Sequence, residues 1–262
     1  MLNSNIVQET KEITRIRLCS GDVRTCVFLV KNGGNDEFTL IDGGFDEHNV
    51  VNQLLPCLQE LGVPISKICR LLLTHSHGDH IDGLPALLPL IPNVEIYAHE
   101  SIAPRTHTLT DGMVIGDIKA VYMPGHTEDG FGFFDMRTNS LISGDGLQLW
   151  GIERFGVGAD LPKEYLQTHD KLLSMDIRNI FSSHPYDFLG ERALGYKNCK
   201  DYIQVSKNNY LELIAFTKKW RKENKTAREI CDLFEIEHLK YPKMQVNAVE
   251  KIIRVFDLGG EA

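Results

Sequence analysis

The chain has no apolar run approaching the ~18 residues that a membrane-spanning helix needs, so no membrane-embedded segment is expected. Its start, Met1 to Glu9, carries neither the basic stretch nor the apolar core of a secretory signal, and the expected location is the cytoplasm. Positive charge is scarce. Lys and Arg number 28 against 36 Asp and Glu, a formal net charge of −8. Broad binding to nucleic acid needs a basic footprint, so neither a nucleic-acid nor a membrane partner is expected. Cysteine is present but unpatterned: Cys19, Cys26, Cys57, Cys69, Cys199 and Cys231 form no Cys-x-x-Cys pair and mostly lie in apolar segments. Buried free thiols in a reducing compartment are the expectation.

What is present is enough apolar material for a core. Hydrophobic residues make up 42% of 262 residues, too many for general disorder. That length accommodates one large α/β domain, or a domain with a small appendage. Histidine is concentrated in one place. The apolar run Ile68 to Leu73 reads as a buried strand, and at its end stands Thr74-His75-Ser76-His77-Gly78-Asp79-His80. His75 and His77 are two apart, so in extended geometry both project to one side. Asp79 and His80 open what reads as a helix, Ile81 to Leu90. A surface turn favours Gly, Asn and Asp and never requires three imidazoles, whereas imidazole nitrogen and carboxylate oxygen are ligands for zinc and similar ions. The stretch reads as a metal site.

This His-x-His-x-Asp-His pattern after an apolar strand resembles the metallo-β-lactamase superfamily. Three further landmarks of that family stand in the right order: Pro124-Gly125-His126-Thr127, Ser143-Gly144-Asp145-Gly146 and Phe181-Ser182-Ser183-His184-Pro185. The resemblance covers roughly residues 13 to 190 and implies an α+β fold, the αββα four-layer sandwich, with a helical C-terminal extension. Residues 1–190 are then the catalytic domain, and 191–262 a helical extension packed on it. It also implies a dinuclear centre. His75, His77 and His126 hold one divalent ion, Asp79, His80 and His184 the other, and Asp145 bridges them. Zinc is expected first, with iron or manganese as alternatives. Asp79 and His80 are the expected catalytic residues, and bound metal brings water toward a pKa of ~7 so that hydroxide attacks a carbonyl carbon. Asp42, in Asp42-Gly43-Gly44, is either a support of the metal site or a turn residue.

The remaining segments follow from periodicity. Ile13 to Cys19, Thr25 to Lys31 and Phe38 to Ile41 read as strands, and Asp46 to Leu61 as a helix with one apolar face. Val94 to Ala98, Gly112 to Gly116, Ile118 to Met123, Phe131 to Phe134, Leu141-Ile142 and Asn179 to Ser183 follow as strands. Pro162 to Leu173 reads as a helix with Pro at its first turn, and Glu191 to Arg221 is helical in pattern. Thr226 with Glu229 fits a capping box, and Gln245 to Phe256 gives the last short helix. The aperiodic stretch Leu147 to Gly158 reads as a pocket wall, with Trp150 and Phe155 as apolar contacts and Arg154 as an anchor for a substrate carboxylate. His48, His99, His107, His169 and His238 are read as surface or structural, although pocket loops could include His107 and His169.

Within the resembled family, the reaction expected is hydrolysis of a small soluble molecule. No side-chain general acid is evident beyond the ligands, which favours a leaving group that needs little protonation. A small thioester, as in glyoxalase II-like relatives, comes first, then a lactone, then a phosphodiester. A mononuclear-iron persulfide dioxygenase is the alternative from another class. Oligomeric state is not readable.

Overall fold

The computed structural model describes residues 4–34, 36–152, 155–186, 190–238 and 243–256, and for Phe155 the backbone only. The architecture is mixed α and β, two sheets packed face to face with helices outside each. The first sheet contains seven strands in sequential order: β1 (Ile6–Gln8), β2 (Ile13–Ser20), β3 (Val23–Lys31), β4 (Phe38–Ile41), β5 (Ile68–Leu72), β6 (Glu95–Ala98) and β7 (His107–Thr108). The second contains β8 (Val114–Ile115), β9 (Ile118–Tyr122), β10 (Phe131–Asp135), β11 (Ser140–Ile142), β14 (Asn179–Phe181) and β15 (Arg192–Leu194). A small hairpin of β12 (Gly151–Ile152) and β13 (Phe155–Gly156) stands apart from both.

Two-residue alternation sorts the strand side chains into layers. On β3, Cys26, Phe28 and Val30 face the second sheet, where Ile118, Ala120, Phe131, Phe133 and Phe181 meet them. Val27 and Leu29 of the same strand face outward, onto Val50, Leu54, Leu58, Leu84 and Leu87 of the helical layer. Strands buried on both faces read as continuous apolar runs, which is why Thr25 to Lys31 and Ile68 to Leu73 were legible.

The helix expected over Asp46 to Leu61 is capped by Asp46, whose side chain accepts from the Asn49 amide. It runs through α1 (Glu47–Asn49), a π turn at Val50–Leu54, and α2 (Leu55–Glu60). After the His-rich turn, α3 (Gly78–Ile81) and α4 (Leu84–Leu87) form a broken pair in place of one helix. Gly83 is the break, because a Cβ there would stand 2.2 Å from the Gly43 carbonyl oxygen. On the far side lie α5 (Pro162–Ser174), α6 (Tyr196–Arg221), α7 (Ala227–Glu237) and α8 (Val246–Val255).

Two differences from the sequence reading follow from tertiary pairing. Residues 192–194, expected to begin a helix, instead form β15, which pairs antiparallel with β14. The helix starts only at Tyr196, after Gly195 at φ +87°. Leu147 to Gly158, expected to be a loop, contains the β12–β13 hairpin. The capping box at Thr226 and Glu229 is formed in full. The C-terminal helices pack on the body: Tyr165 of α5, Tyr210 and Leu213 of α6, Phe234 of α7 and Val249 of α8 share one buried cluster. Among the described residues no helix is long and apolar enough to cross a membrane.

Candidate metal centre

Four strands deliver the site to one edge of the sandwich. β5 leads through Thr74 into His75, and β9 leads to His126. β11 and β14 run parallel, with Ile142 beside Phe181, so Asp145 and His184 emerge together. Asp79 occupies the first turn of α3, where a carboxylate suits the positive end of the helix. Two glycines permit the close approach. At Gly144, φ +51°, a Cβ would fall 3.0 Å from Thr74 Cβ. At Gly125, φ +146°, it would fall 2.5 Å from Tyr165 Cα.

The seven residues named from the sequence converge as two groups: His75, His77, His126 and Asp145, and Asp79, His80 and His184, with each group's ligand atoms within 4.8 Å of one another. In the first, His77 Nδ1 lies 3.1 Å from His75 Nε2 and 3.0 Å from His126 Nε2. That is close to the ~3.3 Å between neighbouring ligands of a tetrahedral ion with bonds of about 2.05 Å. In the second, Asp79 Oδ2 lies 3.1 Å from His184 Nε2 and 3.4 Å from His80 Nε2. Asp145 stands between them, 3.2 Å from His184 Nε2 and 3.7 Å from His126 Nε2.

Ring orientation is set from behind. His80 Nδ1 donates to Asp42 Oδ2 at 2.8 Å, His184 Nδ1 donates to the Arg24 carbonyl at 2.6 Å, and His126 Nδ1 lies 3.1 Å from the Gly158 carbonyl. An imidazole that donates from Nδ1 presents an Nε2 lone pair, and all three Nε2 atoms face the site. Asp42 is therefore a support of the site: it is buried at φ +66° and also accepts from the Thr74 amide and hydroxyl, each at 2.8 Å. His80 Nε2 and Asp145 Oδ1 are buried without a hydrogen-bond partner. Two buried lone pairs facing one gap are costly unless a cation fills it. Both that gap and the His/Asp donor set fit a divalent cation.

The electrostatics agree. Burial opposes charge on His80, yet Asp145, Asp79 and Asp42 raise it well above the usual imidazole range. Burial likewise opposes charge on His184, and Asp145 nevertheless brings it to about 10. Burial favours the neutral acid at Asp79, but His80 overrides it and holds the carboxyl far below its ordinary value. Burial, and then His80, hold the His75 imidazole well below its usual range.

The site forms the floor of a cavity of about 450 Å³. Its walls include Val23, Phe45, Ile152 and Tyr186, and α8 contributes Ala248 and Lys251. Of the pocket residues expected from the sequence, Trp150 is a correction. It is 3% exposed, absent from the cavity wall, and packed 5.5 Å from Phe234 among the C-terminal helices. The backbone turns at Leu149 (φ +50°) and Gly151 (φ +95°), which sends Trp150 outward to α7 and brings Ile152 to the cavity. Arg154 and the Phe155 side chain lie outside the described residues. Sequence reasoning missed Tyr186, whose buried hydroxyl has no hydrogen-bond partner among the described residues. Burial first, and then Asp145, push its pKa well above the phenol range, so it keeps its proton. Its place two residues after His184 was the available signal. His107 stacks on Tyr97, His238 on Phe234, and His169 is fully buried behind the site, so none of the three is a ligand.

This fold and cluster of side chains are similar to those of metallo-β-lactamase proteins. Residues 20–113 match the family model described as the metallo-beta-lactamase superfamily. The metallo-beta-lactamase family protein TTHA1429 from Thermus thermophilus superposes with TM-score 0.76 at 17% identity over 97% of each chain, so the chain has the metallo-β-lactamase fold. Among curated proteins, the uncharacterized protein YobT of Bacillus subtilis is 30% identical over 144 residues, 44% of this chain and 60% of that one. A hydroxyacylglutathione hydrolase of Francisella tularensis is 31% identical over 159 residues, 55% of this chain and 61% of the relative. The chain thus spans about three fifths of the length of these relatives.

Proposed function

We propose that the chain is a metal-dependent hydrolase acting on a small thioester. The observation that carries this reading is the meeting of the two ligand groups at Asp145, on the floor of an open cavity. His75, His77 and His126 would hold one divalent ion and Asp79, His80 and His184 a second, with Asp145 in reach of both groups. Zinc suits the donor set first, and iron or manganese are alternatives. When bound, such ions polarise a carbonyl and bring water toward neutral acidity.

The chain's own groups do the rest. Asp42, the Arg24 carbonyl and the Gly158 carbonyl keep protons on the outer nitrogens of His80, His184 and His126. Tyr186 holds a proton at Oη on the cavity wall, placed to donate to a substrate oxygen. Because burial and Asp145 make that proton hard to surrender, Tyr186 suits hydrogen bonding better than full protonation of an amine. A thiolate needs no such protonation, which supports a thioester ahead of an amide. The similarity to a hydroxyacylglutathione hydrolase supports the same class. The test is a panel of one thioester, one lactone, one phosphodiester and one cephalosporin on zinc-loaded protein. Thioester turnover is expected; turnover of the phosphodiester alone overturns the reading. One equivalent of iron with oxygen consumption on a persulfide would replace hydrolysis with dioxygenation.

A further inference from the structure

Behind the centre, outside the cavity, lies a buried hydrogen-bond chain with no assigned purpose. His169 of α5 and Ser206 of α6 are both 0% exposed. His169 Nδ1 lies 2.7 Å from the Tyr165 carbonyl, which can only accept, so the proton is on Nδ1. Burial holds the ring neutral, near pKa 4, so Nε2 is an acceptor, and the Ser206 hydroxyl 2.9 Å away donates to it. Ser206 Oγ is then left to accept. It takes the Leu149 amide at 3.4 Å and bonds to the Tyr165 hydroxyl. That hydroxyl in turn accepts from the Gln148 amide at 3.3 Å. The chain thus ties His169 and Ser206 to the Leu149 amide and, through Tyr165, to the Gln148 amide.

Both backbone amides held by this chain belong to the loop that follows Asp145. Leu149 sits there at φ +50° with 1% exposure, a left-handed conformation that a bulky side chain rarely adopts. Such strain persists only where the surroundings over-determine it, and it clusters at functional sites. The neighbouring side chain shows what the strain achieves. Gln148, buried at 5% exposure, accepts from the Gly158 amide at 2.8 Å. Gly158 is the residue whose carbonyl orients His126. The start of α5 packs on the residue before His126, since the Leu161 amide donates to the Gly125 carbonyl at 3.0 Å and Gly125 abuts Tyr165.

We infer that Ser206 and His169 are positioning residues for the proposed centre: they hold the Gln148–Leu149 turn, and through Gln148 and Gly158 they aim His126 at the ion shared with His75 and His77. This rests on the metal reading above. The C-terminal segment thereby sets the affinity of one metal position while touching neither ion nor substrate.

Cobalt(II) titration of the full chain, followed by visible absorption, tests this without reference to turnover. The two positions are read separately in His184→Ala and His77→Ala backgrounds. Ser206→Ala, and independently His169→Leu, should weaken the His75–His77–His126 position on the order of tenfold or more, as loss of an outer-shell partner does. The Asp79–His80–His184 position should keep its affinity within about twofold. His169→Gln, which restores an acceptor for Ser206, should recover most of the loss. Equal weakening at both positions would show general loosening, and wild-type affinity at both would show no coupling; either overturns the inference. If Ser206→Ala does not fold, the His169→Leu and His169→Gln pair decides. Failure of the unmodified chain to bind cobalt would instead sink the metal reading, and this inference with it.

Discussion

Asp42→Asn is the sharpest probe of how the centre is supported. The carboxylate receives three hydrogen bonds at 2.8 Å, from the Thr74 amide, the Thr74 hydroxyl and His80 Nδ1. Asn has the same shape and tolerates the left-handed backbone that position 42 occupies at φ +66°. Only chemistry changes. One carboxylate oxygen becomes an amide nitrogen, so a donor faces either the Thr74 amide or His80 Nδ1. The Thr74 amide cannot turn, and the nitrogen must therefore face His80. The Thr74 hydroxyl can rotate to accept, but His80 must move its proton from Nδ1 to Nε2. Losing a buried hydrogen bond to a charged group costs about 1.5–3 kcal/mol, and a total loss of roughly 2–4 kcal/mol is expected in urea unfolding of metal-free protein. The misplaced proton now sits on the nitrogen that faces the site. Metal affinity at the Asp79–His80–His184 position should fall about 10–100-fold by cobalt titration. A variant with both stability and affinity at wild-type level would refute the view that Asp42 sets the His80 tautomer.

Other consequences can be checked directly. If the proposed hydrolysis holds, Asp145→Asn should abolish most turnover by the metal-loaded protein, because Asp145 is within reach of both groups, 3.2 Å from His184 and 3.7 Å from His126; full turnover would sink the shared-ligand arrangement. His169 is buried with its pKa depressed from 6.5 to about 4. The folded state thus takes up the proton less readily than the unfolded one, so this stabilisation is complete above pH 6.5 and lost progressively toward pH 4. Its full size is about 3 kcal/mol, and urea midpoints of wild type and His169→Gln should converge on acidification; parallel pH curves would contradict the assignment. Gly125→Ala should cost several kcal/mol by thermal unfolding, on the order of the larger strain and overpacking effects, since the added Cβ would stand 2.5 Å from Tyr165 Cα in a backbone that cannot yield. A stability change below about 0.5 kcal/mol would mean that α5 is free to shift.

The His-rich stretch carried the centre in the sequence because four of its seven residues fall between His75 and His80, so strand-end geometry alone brings them close. The remaining three follow strands whose apolar alternation is visible in the chain, and the family resemblance ordered them. Alternation also made the two-sheet sandwich readable, since residues such as Phe28 and Val27 must go to opposite faces. A capping box is likewise local, and Thr226 with Glu229 was recognisable for that reason. What depended on distant partners was not legible. Arg192 to Leu194 has no strand signature of its own and is a strand because β14 has an open edge. Trp150 looked like a pocket aromatic until two positive-φ residues on either side turned it onto α7. The choice between turn residue and metal-site support for Asp42 needed Thr74 and His80 folded around it. Which nitrogen of His184 and of His126 faces the site was decided by the carbonyls of Arg24 and Gly158, which lie 160 and 32 residues away in the chain. Ligand identity is a property of side-chain type and local spacing, which a sequence records. Ligand orientation depends on hydrogen bonds between segments far apart in sequence, and only the folded chain brings those together.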